Sequence, residues 1–303
     1  MRNKIIVIGS LNYDIILKMP RWPKQGETLT AKEAAFAAGG KGANQAVQAA
    51  KLGIPVYMAG CVGNDAMGEF LLNTAREYGV RTEHIRQVKG SSGMSVVNAM
   101  EDGEVFACIV RGANYEITKE DIDRIAPLWE ESGLLILQME IPQEVNCYAI
   151  DQAKEHGCQV LMNAAPAAPL AEEYIKKCDY FVVNEVEAGY YAGKTIDTMG
   201  KASTEAQEMS KRYGNTVIIT MGKDGAVVSG EGGTWQIPSQ EVQAVETTGA
   251  GDSFIGGVGY ALLNGMDIYA ACRFATKCSA VTVCRMGAQP SMPTLDEVME
   301  KKQ

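Results

Sequence analysis

The chain has 303 residues, of which 28 are Lys or Arg and 37 are Asp or Glu, so its formal net charge at pH 7 is −9. Hydrophobic residues make up 46% and charged residues 21% of the sequence, which argues against disorder and is typical of a globular protein with either two domains or one large α/β unit. An acidic surface repels phosphate backbones and anionic lipid headgroups, so nucleic acid and membrane surfaces are not expected as partners.

A short apolar strand is predicted near the N-terminus, over residues 4–9. Its apolar run ends at Gly9, and the polar residues Asn12 and Asp14 follow. A membrane span requires about 18 consecutive apolar residues, and a signal peptide requires a longer apolar stretch with a cleavage site. We therefore expect a cytoplasmic protein.

Two β-rich stretches interrupt the pattern that the rest of the chain follows. Residues 12–36 have a polar centre and alternating side chains, and residues 94–110 predict a hairpin that turns at Glu101, Asp102 and Gly103. We expect these stretches to form a small separate sheet over the mouth of an α/β unit. The expected organisation is one domain over residues 1–303, with a lid formed by insertions at about residues 12–38 and 92–112.

Most of the chain alternates short apolar strands with helices. The predicted helices cover residues 43–52 and 65–78, each ended by a glycine, and a third begins at Thr118 with Asp121 as its capping-box partner. Strands are predicted at residues 56–62, 134–138, 159–163, 180–184 and 217–220. Most are continuous apolar runs, as parallel strands covered on both faces require. This alternation predicts a doubly wound, mainly parallel sheet flanked by helices, with ligands beyond the carboxyl ends of the strands.

The eight cysteines and two histidines do not form a zinc-binding pattern. No C-x-x-C pair occurs, and His84 and His156 lie in neither an H-E-x-x-H nor an H-x₃-H pattern. Zinc is therefore not expected, and the scattered cysteines are interpreted as small buried apolar residues.

Two motifs in the first 44 residues predict a ligand site. Residues 39–44 are Gly-Gly-Lys-Gly-Ala-Asn and open a predicted helix, where glycines allow a close backbone approach and the helix N-terminus offers unpaired N–H groups. A flexible turn is the alternative. Asn12 and Asp14 together supply a donor, an acceptor and a charge, which suits the hydroxyl groups of a sugar, and turn residues are the alternative there.

A second glycine-rich motif, Thr-Thr-Gly-Ala-Gly-Asp-Ser at residues 247–253, precedes a predicted helix at residues 254–263. Its N–H groups are expected to point at an anion, with the helix dipole behind them. Asp252 is then expected beside that anion, where a carboxylate can take the proton of an attacking hydroxyl group during phosphoryl transfer. A helix-capping role for Asp252 is the alternative.

Polar residues also follow the predicted strand at residues 180–184. Asn184 and Glu187 suit contacts to phosphate or to Mg²⁺ with its waters, and a helix start explains them equally well. The next segment, residues 188–195, matches a relaxed phosphate-loop pattern that includes Lys194. A true phosphate loop follows its strand directly, whereas this segment is predicted to end a helix at Gly193, so we interpret it as a false match. The sequence contains no G-x-G-x-x-G, which removes the main support for a dinucleotide-binding dehydrogenase.

These motifs, in this order, resemble those of the ribokinase (PfkB-type) family of carbohydrate kinases over nearly the whole chain. The resemblance rests on Asn12-x-Asp14, residues 39–44, Gly112-Ala113-Asn114, Asn184-x-x-Glu187, Thr220-x-Gly222-x-x-Gly225 and residues 249–252. It implies a ribokinase-like fold and the ATP-dependent phosphorylation of the 5-hydroxyl group of D-ribose to ribose 5-phosphate. It also implies ATP, Mg²⁺ and K⁺ as cofactors and a homodimer formed through the lid.

The resemblance further implies a role for each matching residue. Asp252 is implied as the general base, with an anion hole formed by Gly249, Ala250 and Gly251. The implied sugar contacts are Asn12, Asp14, Gly40, Lys41, Gly42, Asn44, Glu140 and Asp252. The implied nucleotide contacts are Asn184, Thr220, Gly222, Lys223, Gly225, Gly251 and Thr276. Glu187 is implied near Mg²⁺, and K⁺ is implied at Glu246, Thr248, Thr282, Arg285, Gly287 and Ser291.

Two positions depart from the family pattern. Glu246 stands where family members commonly have an aspartate that serves the monovalent cation, so we expect K⁺ activation that is weaker than with aspartate. The proline that commonly follows the asparagine at position 163 comes only at Pro166, which affects a turn.

Other functions stay open at this point. Related kinases that act on fructose, a keto-deoxy sugar acid or a nucleoside are alternatives, and so is a sugar-binding regulator without catalysis. Retention of Asp252 with the whole anion hole argues against the regulator, because binding alone does not need a base. The choice of sugar depends on lid side chains such as Val96, Asn98 and Cys108.

Overall fold

The structure is a computed structural model that describes residues 2–100 and 105–300. In chain order the strands are β1 (Lys4–Ile8), β2 (Asn12–Met19), β3 (Glu33–Gly39), β4 (Val56–Gly63), β5 (Arg81–Val88), β6 (Gly93–Met100), β7 (Val105–Val110), β8 (Ser132–Leu137), β9 (Gln159–Asn163), β10 (Tyr180–Asn184), β11 (Thr216–Thr220), β12 (Ala226–Gly230) and β13 (Gly233–Ile237). The helices are α1 (Lys41–Lys51), α2 (Ala66–Glu77), α3 (Lys119–Asp123), α4 (Ala126–Trp129), α5 (Gln143–Glu155), α6 (Glu172–Lys177), α7 (Glu185–Ala192), α8 (Met199–Tyr213), α9 (Ala250–Leu263), α10 (Ile268–Thr282) and α11 (Leu295–Glu300).

Nine of these strands form the central sheet, in the order β13-β12-β11-β10-β9-β8-β1-β4-β5. The strands from β11 to β5 pair in parallel, and β12 and β13 continue one edge in antiparallel pairing. The predicted doubly wound, mainly parallel sheet is therefore confirmed. The antiparallel edge follows from the short connections after β11 and after β12, because such short turns bring the chain back antiparallel to the strand before.

Both faces of the central sheet are covered by helices. In β1, Ile6 and Ile8 join one core cluster, while Ile5 and Val7 join the cluster on the opposite face. Helices α5 and α8 contribute to the first cluster, and α1, α2, α9 and α10 contribute to the second. Because successive strand residues face opposite sides, burial on both faces explains why the central strands are continuous apolar runs.

Helices α1 and α9 pack directly against each other at a glycine. A Cβ atom at Gly256 of α9 would lie 2.6 Å from the Cβ of Gln48 on α1, which is too close for any residue but glycine. The close approach brings the first turn of α1 and the first turn of α9 together, and both predicted glycine-rich motifs lie at these helix starts.

The two β-rich stretches form a separate four-stranded sheet in the order β3-β2-β6-β7. Strand β2 pairs antiparallel with β3 and parallel with β6, and β6 pairs antiparallel with β7. The predicted pairing of the hairpin strands is confirmed, whereas the predicted turn at Glu101, Asp102 and Gly103 lies outside the described residues. We call these four strands the small sheet.

Three strands of the central sheet were not predicted. Strand β5 is an edge strand in which polar and charged residues alternate with buried ones, and β12 and β13 form a short hairpin. The predicted capping box at Thr118 and Asp121 is confirmed. Within residues 2–100 and 105–300, no helix combines the length and apolar character needed to cross a membrane.

Candidate active site

The predicted site residues gather at the carboxyl ends of the parallel strands. Asn12 comes soon after β1, Glu140 comes soon after β8, and Asn184 and Thr220 end β10 and β11. The glycine-rich starts of α1 and α9 lie at the same edge, where Asn44 of α1 contacts α9. This is the edge at which ligands bind in doubly wound sheets.

Asp252 lies in the first turn of α9 and is 8% exposed. Its two carboxylate oxygens each accept an N–H from α1: Oδ2 accepts from Asn44 Nδ2 at 2.9 Å, and Oδ1 accepts from Gln45 Nε2 at 2.9 Å. Gly249, which directly precedes α9, has φ of +77°, a backbone conformation that favours glycine. The carboxylate is thus held by neutral donors at the start of a helix.

The glycine-rich turn before α9 leaves its N–H groups at the positive end of the helix. The N–H of Ala250 donates to Thr247 O at 3.2 Å, so an anion that binds this N–H has to compete with the turn. A Cβ atom at Gly251 would have no heavy atom of the described residues within 4 Å. Open space therefore lies beside Gly251, where an anion could approach the backbone closely.

Asp14 is placed beside the backbone of the residues that precede α1. A Cβ atom at Gly39 would overlap the Asp14 carboxylate, so glycine at this position makes room for the acid. Burial, followed by the nearby charges of Glu140 and Asp252, raises the pKa of Asp14 to about 7, although a hydrogen bond with Ser95 lowers it. The carboxyl group of Asp14 therefore titrates near neutral pH.

Glu140 and Lys41 lie next to each other at the start of α1. Glu140 Oε2 accepts a hydrogen bond from Ser10 Oγ and another from the Lys41 N–H at 3.2 Å. Burial lowers the pKa of the Lys41 ammonium group, but the charges of Asp252, Glu140 and Glu187 together raise it above the ordinary value. Lys41 therefore stays charged, and it lies near the carboxyl groups of Asp252, Glu140 and Glu187.

The side chain of Asn12 is held by Asn114, a residue of the family motif for which the sequence predicted no role. Asn114 Nδ2 donates to Asn12 Oδ1 at 2.7 Å, and Asn114 Oδ1 accepts the N–H of Leu11 at 2.9 Å. Because its oxygen is occupied, Asn12 offers the N–H groups of its amide to a ligand. A Cβ atom at Gly93 would collide with the amide of Asn114, so a glycine supports this contact too.

A cavity of about 640 Å³ opens beside the start of α9. It contains all seven predicted nucleotide contacts, which are Asn184, Thr220, Gly222, Lys223, Gly225, Gly251 and Thr276. The cavity is also lined by an irregular segment that includes Gln240, Val242 and Ala244. The sequence did not predict this segment, because an irregular loop carries no periodic pattern. The volume is in the range of small-molecule and cofactor sites. A smaller surface groove around Lys119 and Tyr174 contains none of the predicted residues.

Asn184 and Glu187 form the start of α7. Asn184 Oδ1 accepts the N–H groups of Val186 and Glu187, and Glu187 Oε2 accepts the N–H of Asn184 at 2.8 Å, which is a complete capping box. The helix-start interpretation is therefore right, and Asn184 also lines the cavity. Glu187 is 6% exposed, and burial raises the pKa of its carboxyl group.

The relaxed phosphate-loop pattern is a helix end, as interpreted from the sequence. Helix α7 ends at Gly193, which has φ of 66° in the left-handed region. Lys194 Nζ forms ion pairs with Glu205 and Glu208 of α8. Its charge is thus engaged on the surface, away from the cavity.

The six positions implied for K⁺ lie in two segments that touch each other. Glu246 Oε2 accepts the N–H of Gly287 at 2.8 Å. Arg285 turns its side chain to Glu297, and Thr282 donates to Ser253 Oγ at 2.9 Å. Thr248 and Ser291 belong to the same two segments. The Glu246 carboxylate therefore already joins the segment before α9 to the segment that follows α10.

Three buried amide side chains next to Asp252 were not predicted. Gln45 donates to Asn163 Oδ1 at 3.0 Å as well as to Asp252, and Gln138 Nε2 donates to Gln45 Oε1 at 2.8 Å. A single glutamine in a helix matches no motif. The only available signal was its adjacency in sequence to Asn44.

Comparisons with known proteins agree with this geometry. A model of the pfkB family of carbohydrate kinases matches residues 2–295. The chain is 36% identical over 298 residues to the deoxyribokinase of Salmonella typhi, with 98% of this chain and 97% of that protein covered. It is 37% identical over 301 residues to the ribokinase of Bacillus subtilis, with 99% of both covered. Its fold is similar to that of Arabidopsis thaliana ribokinase complexed with ribose and ATP, with a TM-score of 0.91, 30% identity and 100% of both chains covered.

Proposed function

The chain belongs to the pfkB family of carbohydrate kinases, and on that premise we propose that it transfers the γ-phosphoryl group of ATP to the 5-hydroxyl group of D-ribose. The observation that carries the proposal is the position of Asp252. Its carboxylate lies at the start of α9, directly after Gly251, which lines the 640 Å³ cavity. It is also near enough to Asp14 for its charge to raise the pKa of that carboxyl group. The similarity to ribokinases over almost the full length of both chains supports D-ribose as the sugar.

In the proposed reaction, the Asp252 carboxylate accepts the proton of the 5-hydroxyl group. The resulting oxygen forms a bond to the γ-phosphorus, the bond between this phosphorus and the bridging oxygen breaks, and ADP leaves. The N–H groups of Gly249, Ala250 and Gly251 at the positive end of α9 stabilise the charge that develops on the phosphoryl oxygens. The ammonium group of Lys41 lies near Asp252 and adds a positive charge on the same side.

The sugar is proposed to lie among Asn12, Asp14, Gly40, Lys41, Gly42, Asn44 and Glu140. Asn12 offers N–H donors, whereas the carboxyl oxygens of Asp14 and Glu140 offer acceptors. Adjacent hydroxyl groups of a sugar can donate to one and accept from the other. The small sheet, formed by the proposed insertions at residues 12–38 and 92–112, would cover the sugar as a lid and exclude water from the reaction.

Glu187 follows Asn184 and Glu185 closely in the chain, and these two residues line the cavity in which we place the magnesium-bound nucleotide. Among the described residues no group of three His, Cys, Asp or Glu side chains could hold a metal by itself. Mg²⁺ is usually held through one or two carboxylates together with substrate phosphates and water, so Glu187 is proposed as its contact on the protein. Mg²⁺ supplies charge neutralisation of the phosphate oxygens. Because ATP is the proposed co-substrate, a cytoplasmic location is proposed too.

The similarity to the deoxyribokinase favours 2-deoxy-D-ribose as a second candidate sugar. The identity to that protein is 36%, against 37% to the ribokinase of Bacillus subtilis, so overall similarity does not separate the two sugars. A site that hydrogen-bonds the 2-hydroxyl group discriminates strongly against the sugar that lacks it, because its own polar groups are then left unpaired. The ratio of kcat/KM for the two sugars therefore decides between them.

An assay of ADP release tests the proposed function. D-ribose, 2-deoxy-D-ribose, D-fructose, a keto-deoxy sugar acid and a nucleoside are each added to the protein with ATP and Mg²⁺, and D-ribose is expected to give the highest kcat/KM. Asp252→Asn keeps the shape of the side chain but cannot accept the proton, so kcat should fall by roughly 10²–10⁴ with little change in ATP binding. A variant that keeps more than about half of the kcat would contradict the role of Asp252. Sugar binding without ADP release would identify a regulator instead.

A further inference from the structure

One of the two residues that hold the Asp252 carboxylate has no role in the reaction proposed above. Asn44 is among the proposed sugar contacts, but Gln45 is not, although its side chain is fully buried and its Nε2 lies 2.9 Å from Asp252 Oδ1. We propose that Gln45 is a positioning residue, which fixes the orientation of the Asp252 carboxylate toward the hydroxyl group. This inference rests on the proposed function, since orientation matters only if Asp252 takes a proton.

The orientation of the Gln45 amide follows from the groups around it. An ionised carboxylate can only accept hydrogen bonds, so the amide nitrogen, not the oxygen, has to face Asp252. The same nitrogen donates its second N–H to Asn163 Oδ1 at 3.0 Å, and Asn163 Nδ2 is turned toward Val182 O at 3.4 Å. Both N–H groups of Gln45 are therefore used, and a flipped amide would place its oxygen against two acceptors.

Gln138 holds the oxygen of the Gln45 amide, while the nitrogen of that amide contacts Asp252. Its Nε2 donates to Gln45 Oε1 at 2.8 Å, while its own Oε1 has no hydrogen-bond partner among the described residues. A Cβ atom at Gly9 would overlap this oxygen, so a glycine on the neighbouring strand end makes room for the amide. Gln138 thus keeps its nitrogen on Gln45 although its oxygen gains no partner.

Together these contacts hold the carboxylate at both oxygens. Asn44 binds Oδ2 and is itself held by Gln289, whose Nε2 donates to Asn44 Oδ1 at 3.1 Å. With one amide donor on each oxygen, the carboxylate cannot rotate without losing a hydrogen bond. The direction in which it presents its remaining lone pairs is therefore fixed before the sugar binds, which is the condition for efficient proton transfer.

The test compares two glutamines of the same helix. Gln48 lies one turn after Gln45, is also fully buried, and hydrogen-bonds Ser253 Oγ and Pro293 O but not Asp252. Gln45→Met and Gln48→Met each replace a buried amide by an apolar side chain of similar length, so we expect them to cause similar losses of stability. We expect Gln45→Met to lower kcat by about 10- to 100-fold with both KM values within about threefold of wild type. We expect Gln48→Met to lower the melting temperature with kcat nearly unchanged.

Two further measurements separate this inference from the proposed function. Gln138→Met should lower kcat in the same direction, and the double variant Gln45→Met/Gln138→Met should be no slower than Gln45→Met, because the two residues act through one contact. In a crystal structure of Gln45→Met, the Asp252 carboxylate should have turned, whatever sugar the enzyme accepts. A carboxylate in its wild-type orientation, or an equal loss of kcat in Gln48→Met, would overturn the inference. Absence of any sugar turnover by the wild type would instead overturn the proposed function.

Discussion

At the level of single residues, the carboxyl groups around Lys41 outnumber its one positive charge. The carboxyl groups of Asp252, Glu140 and Glu187 lie near the ammonium group of Lys41, and Asp14 lies near two of them, Glu140 and Asp252. Carboxylates that are close together and partly buried cannot all stay ionised at low cost, since desolvation and like charge both favour the protonated form. Asp14 shows the largest consequence, because its pKa rises to about 7.

The raised pKa of Asp14 predicts a stability that depends on pH. Its pKa in the folded protein exceeds the ordinary value of 3.8, so the stability it contributes is complete below about pH 4 and is lost as the pH rises to about 7. The side chain of Asp14→Asn stays neutral at every pH, so the variant should gain stability relative to the wild type as the pH rises. Between about pH 5 and about pH 8 this gain should amount to about 1–2 kcal/mol, measured as an increase in the difference between the two melting temperatures. Sugar kcat/KM should fall at least about tenfold.

Asp65 provides a control, because its pKa is shifted in the opposite direction to that of Asp14. Burial raises the pKa of Asp65, but hydrogen bonds donated by Ser92 and Gly68 lower it more, and the net direction is downward. Asp65→Asn should therefore lose stability above about pH 5, where the carboxylate is ionised. Thermal unfolding at several pH values measures both variants. A constant difference between Asp14→Asn and wild type at all pH values would show that Asp14 does not titrate near neutrality.

The glutamate at position 246 leads us to expect only weak activation of the enzyme by K⁺. We propose that its carboxylate, with backbone carbonyls of the segment 282–291, holds K⁺ and that activation is real but weaker than in an aspartate version. Ordering the longer side chain costs several tenths of a kcal/mol more, and Oε2 is already bonded to Gly287 N. Glu246→Asp should lower the K⁺ concentration for half-activation. The measurement compares K⁺ with a bulky organic cation at equal ionic strength. If neither protein responds to K⁺, Glu246 acts only as the hydrogen-bond acceptor that joins the two segments.

At the scale of elements, the site depends on two helix starts that glycines bring together. Gly256 lets α9 approach α1 closely, and Gly249 takes a positive φ directly before α9. The two motifs were recognisable in the sequence because phosphate-binding helix starts need glycines at fixed spacing. Their contact was not, because residues 44 and 252 are far apart in sequence and no spacing rule relates them.

Gly251 allows the space for the phosphate to be tested directly. A methyl group at Gly251 meets no heavy atom of the described residues within 4 Å, and its φ is not positive, so Gly251→Ala should keep or slightly raise the melting temperature, as expected for alanine in a helix. If phosphate occupies that space, kcat/KM for ATP should fall at least about tenfold. Gly200→Ala, also in open space on α8, is the control and should leave ATP kinetics unchanged. Unchanged ATP kinetics in Gly251→Ala would place the phosphate elsewhere.

For the whole molecule, the sequence was most informative where burial is complete. Strands such as β1 and β10, buried on both faces, were predicted as continuous apolar runs. The edge strand β5 was missed because Arg81, Glu83 and Arg86 interrupt its apolar residues. The amide contacts of Gln45 with Gln138 and Asp252 join three distant parts of the chain, and only the folded arrangement of strands and helices brings them together.

The small sheet has two faces with different surroundings. Residues that pair in register share a face, and Asp14 and Ser95 are in register on the face toward the site. Phe36 is in register with Ile15 on the opposite face, and Phe36 is 60% exposed. An exposed apolar surface on a sheet is typical of a protein interface. We therefore propose that this face pairs with the small sheet of a second copy of the chain.

A charge placed on that outer face should separate the two copies. In sedimentation at about 1 to 100 µM, the wild type should have twice the mass of one chain, and Phe36→Glu should sediment as a single chain, because a carboxylate buried at an apolar interface has no partner. The sugar KM of Phe36→Glu should rise, since the lid loses its support. Val186→Glu, at a residue that is 70% exposed on α7, should stay dimeric with normal KM. A wild type that is monomeric over the whole range, or a Phe36→Glu variant with the wild-type mass, would contradict an interface through the lid.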